Sequence, residues 1–349
     1  MCGPWGKRLS SLRRWLHGHL LAPPLERRRS FSPRRRAPRR PRPPPAAQQL
    51  QSTCGGPRTL LAATTPAALA AVQTLGHLPA SRPAYGWPVK PFDRQHPVRA
   101  FLNDPRIGRN GVISFHFGID VAAPDGTPVY AVEGGTVFFD STEAIAVKVA
   151  PQHEFGYWHV EPAVKPHQIV RQHDLLGYVG RGWGHVHFAE RVGSRYLNPL
   201  RPGGLGPYTD PLAPDVAEIS LLHGRSGVQI LANAYDTTWP PVPGPWAHEP
   251  VAPALIQWRV TRAGGRRGSW RTAVDFRGEM LDRRLFNTIY AAPTAQNHKG
   301  KAGLYCFYLA HAWKPADGSY RIEVAATDTR ANRTVARVDV TVVDGQVQR

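Results

Sequence analysis

The sequence predicts an all-β chain, with two strand-built domains behind a disordered N-terminal tail. Three observations lead there. Beyond about residue 85, short runs rich in Val, Ile and aromatics alternate apolar with polar residues, and Gly, Pro and Asp turns separate them. No segment in that region sustains the 3.6-residue period of an amphipathic helix. Residues 1–84 instead interleave arginine runs with prolines and offer few large apolar side chains to bury. The expected division is a tail over 1–84, one β domain over 85–206 and a second over 207–349.

The tail carries most of the charge. Residues 1–60 hold 14 Lys/Arg and one Glu, so +13 of the net +19 lies there and only +6 on the rest. A nucleic-acid enzyme carries its basic residues on the folded face. No specific nucleic-acid partner is therefore expected, and a nucleic-acid-binding reading rests on the tail alone. Residues 58–72 resemble a weak secretory signal, with Arg58 before an apolar run and a cut near Ala80 or Ala84. With 57 residues ahead of it, this is not a clean N-terminal signal peptide; either translation starts downstream of Met1 or the resemblance is accidental. No stretch approaches the ~18–20 unbroken apolar residues of a spanning helix. The three cysteines are too few and scattered for a disulfide framework or a thiolate metal cluster, and Cys306 reads as a buried thiol. That usage leaves the redox compartment open.

In the first β domain, residues 115–121 alternate Phe115, Phe117, Ile119 and Val121 against His116, Gly118 and Asp120. Period two puts His116 and Asp120 on one face, about 13 Å apart if the strand is regular. Both reach one ion only if the strand bends, and Gly118 between them permits that. Residues 123–127, Ala-Pro-Asp-Gly-Thr, form a turn, because Pro fixes φ and Gly tolerates positive φ. Strands follow over 129–132, 135–140, 145–149, 175–179 and 186–192. On the last of these, His185 and His187 face the same side, so one can bind a metal while its neighbour faces a substrate.

Two imidazoles and one carboxylate are a common set of three zinc ligands, with the fourth position left to water. Bound zinc brings that water's pKa toward ~7 and polarises a carbonyl. There is no His-Glu-x-x-His helix to supply a general base. A histidine with pKa near ~6.5 can serve, and His159 and His185 are the candidates.

Three blocks in order carry a family resemblance: His116-Phe117-Gly118-Ile119-Asp120 running on to Val137, then Tyr157-Trp158-His159, then Gly184-His185-Val186-His187-Phe188. Over about residues 110–192 the chain resembles the lysostaphin/LytM-type zinc metallopeptidases. The resemblance implies a small antiparallel sheet with a groove and a Zn2+-dependent endopeptidase that cleaves peptidoglycan cross-links. It implies His116, Asp120 and His187 as metal ligands, and His159 and His185 as the histidines that flank the water and the developing oxyanion. It also implies extracellular or cell-wall residence and peptidoglycan, or another peptide, as the partner. The chain departs from the pattern in a short loop before His185, Gly180-Arg181-Gly182-Trp183-Gly184, and in His167 and His173 at turn positions where the family often has Gly. His153, His167, His173 and His223 read as surface or turn histidines, and Glu133 and Glu190 read as solvated carboxylates before they read as partners that orient an imidazole.

Residues 200–217, rich in Pro and Gly, read as a linker or a packed extended segment. Strand patterns recur over 228–235, 254–260, 304–309, 320–325 and 334–343, each with one apolar and one polar face. Turns at 317–319 and 328–332 separate the last of them. This is the pattern of an immunoglobulin-like β-sandwich. It shows no catalytic constellation. Trp239, Trp246 and Trp258 read as core aromatics before they read as sugar contacts. The alternative to an enzyme is a non-catalytic peptidoglycan-binding or scaffold protein that regulates a cell-wall hydrolase.

Overall fold

Alternation of apolar residues along the strands gives two cores, each under a mostly antiparallel β architecture. The structure is a computed structural model and describes Cys54 and residues 85–108, 111–247 and 249–348. Apart from Cys54, the expected disordered tail and the signal-like segment lie outside the described residues. Among those described, helix is minimal: a four-residue α1 (Phe286–Ile289) and two 3-10 turns at Gly244–Trp246 and Arg283–Leu285. No helix among them is long and apolar enough to cross a membrane.

Thirteen strands build the first half: β1 (Val98–Ala100), β2 (Pro105–Ile107), β3 (Ile113–Phe115), β4 (Ile119–Ala122), β5 (Pro128–Tyr130), β6 (Gly135–Ser141), β7 (Ala144–Ala150), β8 (His153–Trp158), β9 (Val160–Pro162), β10 (Ile169–Val170), β11 (Leu175–Val179), β12 (His185–Val192) and β13 (Arg195–Leu197). The main sheet runs β1-β4-β12-β8-β7-β6-β10, with β13 also on β12. Strands β5, β11 and β9 form a second, three-stranded sheet, and β2 pairs with β3. Ile119 and Val121, Val186 and Phe188, Phe155 and Tyr157, and Ile145 and Val147 point from four adjacent strands into one core. By the same alternation Asp120, His185 and His187 project from the opposite face.

The expected single strand over 115–121 is broken. β3 ends at Phe115 and β4 begins at Ile119, so residues 116–118 turn between them. The break is anchored on both sides. Asn103 N donates to His116 O (2.8 Å) and His116 N to Asp104 O (2.9 Å). His159, His167 and His173 all sit at positive φ (66°, 65° and 69°), the backbone region that favours glycine. Ring stacking accompanies two of them: His173 lies flat on Phe92 at 3.9 Å and His159 on Trp183 at 3.6 Å.

The second half adds β14 (Asp215–Gly224), β15 (Gly227–Thr237), β16 (Pro250–Val251), β17 (Leu255–Arg262), β18 (Arg271–Asp275), β19 (Cys306–Trp313), β20 (Gly318–Thr327), β21 (Arg333–Val343) and β22 (Gln346–Gln348). They form one sheet ordered β14-β15-β16 with β19 on β15, and another ordered β18-β17-β20-β21-β22. Inward residues of both, among them Ile230, Phe307, Trp258 and Val324, share one core. Phe115 belongs to that core too, tilted against Phe286 at 5.3 Å. The residue beside His116 is therefore held by the C-terminal half.

Two sequence expectations fail here. Cys306 is not a free thiol but is disulfide-bonded to Cys54, across a sequence separation of 252. Spacing carries no information about such a pair; the fold brings the two Cα atoms to 5.8 Å, within bridging range. Glu190 is not solvated but buried, taking Tyr85 Oη–H (2.6 Å), both terminal nitrogens of Arg201 (2.6 and 2.9 Å) and His153 Nε2 (3.1 Å).

Candidate metal centre

Sheet register assembles the site. β12 lies between β4 and β8, and His187 stands directly across from Asp120 on one side and Trp158 on the other. Cross-strand neighbours are close enough for their side chains to share a ligand. His116 joins them from the break before β4. Its Nε2 is 2.8 Å from His187 Nδ1 and 3.2 Å from Asp120 Oδ1, and His187 Nδ1 is 3.1 Å from the same oxygen. His116 Nδ1 donates to Phe101 O (2.8 Å), which leaves Nε2 with its lone pair toward the centre.

His187 is held by packing. Its ring lies between Phe117 (4.3 Å) and Trp158 (5.1 Å), and Nε2 is buried without a hydrogen-bond partner. Gly118 is required by space. A Cβ there would stand 2.9 Å from His187 Nε2 and closer still to Phe188 O.

His185 and His159 stand beside this triangle. His185 Nδ1 donates to Trp183 O (2.8 Å), and its Nε2 lies 3.5 Å from Asp120 Oδ1. The His159 ring is 4.6 Å from that of His185 and is half-buried. The short loop before β12 is stapled from below: Asp125 accepts Gly182 N (2.7 Å) and Gly184 N (2.9 Å). Both glycines have positive φ, so the loop turns tightly enough to lay Trp183 on His159.

Electrostatics leave every donor in its ligating form. Burial pushes the imidazoles down: His116 to about 3, helped by the Arg106 charge, and His185 to about 4, with His187 also lowered. Burial, then the charges of His185 and His187, holds His159 well below the usual range. Burial opposes ionisation of Asp120, but His116 and His185 outweigh it and keep the carboxyl well below the usual carboxylate range. Neutral imidazoles and an ionised carboxylate are the protonation states a zinc site needs. Ligands on a tetrahedral zinc with ~2.0–2.1 Å bonds lie about 3.3 Å apart, close to the three spacings observed. The residues fit the ion, and His116, Asp120 and His187 make a zinc-binding triad.

The structure brings together all five residues singled out from sequence. It also adds two arginines that no motif marked. Arg106 Nη2 is 3.2 Å from Asp120 Oδ2, and Arg99 Nη2 is 3.2 Å from His185 Nε2. Arg99 lies over the Trp246 ring at 4.2 Å, so a C-terminal aromatic reaches the rim of the site.

The model of peptidase family M23 matches residues 114–199, which span β4, β8 and β12 and all five side chains. Residues 114–199 are thus similar to the M23 peptidases. A DD-carboxypeptidase/endopeptidase, Mpg, of Neisseria meningitidis serogroup B is 33% identical to the chain over 94 residues, 24% of this chain and 22% of the relative. A protein of the same name from Neisseria gonorrhoeae matches equally. The chain thus spans about a fifth of the length of the curated relatives it matches. Among solved structures, the catalytic domain of the prophage-encoded M23 protein EnpA from Enterococcus faecalis is 32% identical, with a TM-score of 0.26, covering 36% of this chain and 99% of that one. A zinc-containing peptidase from Vibrio cholerae is 25% identical, with a TM-score of 0.28, covering 34% and 39%.

Proposed function

We propose that the chain is a zinc metalloendopeptidase that hydrolyses peptide bonds of peptidoglycan, in cross-links or stem peptides, outside the cell or at the wall. The observation that carries this reading is the meeting of His116 Nε2, Asp120 Oδ1 and His187 Nδ1 within 3.2 Å of one another, with two further neutral histidines alongside. Zinc held by these three atoms supplies a Lewis acid that polarises a peptide carbonyl and acidifies water. His185 acts as the base: Nδ1 keeps its proton on Trp183 O, so Nε2 carries the lone pair, which takes an Arg99 N–H at 3.2 Å until a proton from water displaces it. His159, with one N–H on a neutral ring, donates to the oxygen that gains charge. Trp183, stacked on His159, fixes that ring.

The sequence division supports a metallopeptidase domain over 85–206 and an immunoglobulin-like sandwich over 207–349. The two C-terminal sheets with a shared core are consistent with the second part. In this reading the sandwich is a buttress: Phe115 seats the residue next to His116, and Asn103 bonds Glu279 O and Leu281 N.

The test compares zinc content and release of peptide fragments from purified peptidoglycan for the full chain and His187→Ala. The native protein is expected to hold one zinc and clear the wall suspension, and the variant to do neither. Metal-free native protein with unchanged turbidity sinks the reading. Zinc bound without turnover on several wall types favours the non-catalytic scaffold.

A further inference from the structure

Outside the M23 site, three carboxylates meet where three stretches of chain converge. Asp210 comes from the segment after β13, Asp236 from the end of β15 and Asp328 from the loop after β20. They are 7%, 1% and 2% exposed, and one oxygen of each lies within 4.8 Å of the others. Two of the three are partly satisfied. Asp328 accepts Arg330 N, Asn332 N and Asn332 Nδ2 (2.7, 2.9 and 2.7 Å). Asp210 accepts Leu212 N (3.0 Å) and, weakly, the Tyr208 hydroxyl (3.4 Å). Asp236 Oδ1 accepts Thr237 N (2.8 Å), but its Oδ2 is buried and accepts nothing.

No ion pair balances the group, although the Arg330 charge acts on Asp210 and Asp328. Among the described residues none of the three is ion-paired with Lys, Arg or His. Arg330 is near, yet it donates to the carbonyls of Tyr208, Leu200 and Thr329. Buried like charges are stable only when neutralised by protons or by a bound cation. Burial pushes all three carboxyls up, Asp210 to about 7, so without a cation the cluster holds protons near neutral pH.

We propose that Asp210, Asp236 and Asp328 form a calcium site that ties the C-terminal sheets to the segment leaving the M23 domain. The donors are hard oxygens, which excludes soft-metal selection. Calcium bonds oxygen at ~2.3–2.6 Å, so one ion bridges oxygens up to about 5 Å apart, which covers the observed spread. Magnesium demands ~2.0–2.1 Å octahedral geometry and retains several waters, a poor match to a buried cradle. Asp236 Oδ2 is the oxygen the ion would satisfy.

The experiment uses the full chain, freed of weakly bound ions on a chelating resin and reloaded with one equivalent of zinc. Thermal unfolding is followed with and without about 5 mM CaCl2, and calcium binding is titrated calorimetrically. At a Kd of ~0.1 mM, that concentration is a ~50-fold excess and raises Tm by roughly 5–9 °C. Asp236→Asn keeps the side-chain volume and removes a charge; it is expected to unfold at one temperature with or without calcium and to give no binding heat. Asp210→Asn serves the same purpose should Asp236→Asn fail to fold. A native protein with no calcium shift and no binding heat overturns the proposal. So does a full calcium shift retained in the Asn variants, and an equal shift from MgCl2 overturns the assignment to calcium.

Discussion

Replacing Gly118 by alanine tests whether backbone packing, not only ligand identity, builds the metal centre. Its φ is not in the left-handed region, so the substitution introduces no backbone strain and acts through space alone. The added Cβ would lie 2.3 Å from Phe188 O, 2.9 Å from His187 Nε2 and 3.0 Å from Phe188 C, against the 3.4–4 Å of ordinary contact. Relief of the Phe188 O contact requires a displacement of about 1 Å, beyond the ~0.5 Å within which a site must be held to function. Neither neighbour can move freely. Phe188 is paired within the sheet to Ile119 and Tyr157, and His187 is wedged between Phe117 and Trp158. The shift therefore falls on the 2.8–3.2 Å triangle of donor atoms. Overpacking of this kind costs about 1–3 kcal/mol of stability. Misplacing a ligand lowers metal affinity ~10- to 100-fold. The assay is zinc competition against a chromophoric chelator, with thermal unfolding measured alongside. A Gly118→Ala protein that binds zinc within about twofold of the native and keeps its Tm would refute the reasoning.

Three further outcomes follow from other parts of the fold. Glu190→Ala leaves Arg201 and the Tyr85 hydroxyl without their buried acceptor, so stability falls by roughly 2–4 kcal/mol in chemical denaturation, while zinc content is unchanged; a loss under ~0.5 kcal/mol would show the network to be dispensable. Hydrogen bonds from Arg259 hold Glu323 down to about 2 against an ordinary 4.5, so the unfolded chain binds more protons between those values. The contribution of this pair is present above pH 4.5 and fades as the pH falls toward 2, and Glu323→Gln flattens that acid limb of the stability curve; unchanged slopes would contradict the pairing. Finally, non-reducing peptide mapping should recover the Cys54 and Cys306 peptides joined, with Cys2 outside the bond; two alkylated thiols at these positions would overturn it.

The sequence by itself determined the chemistry of the site. Period-two alternation places Asp120, His185 and His187 on the face opposite Ile119, Val121, Val186 and Phe188, because in a strand adjacent side chains point to opposite faces. It showed the need for a bend as well, since two ligands ~13 Å apart on a regular strand cannot share an ion, whereas the break over residues 116–118 is set by the fold. Which residues lie across from one another is a non-local matter, decided only when strands pair. Arg106 on Asp120, Arg99 on His185 and Trp246 over Arg99 join chain segments whose spacing carries no signal. The same holds for Glu190 under Tyr85, for Phe115 lodged in the C-terminal core, and for Cys54 bonded to Cys306. Asp210, Asp236 and Asp328 read in sequence as unremarkable turn and strand-end acids. Only the tertiary structure removes water from around them, and it is that desolvation which turns three ordinary carboxylates into a site.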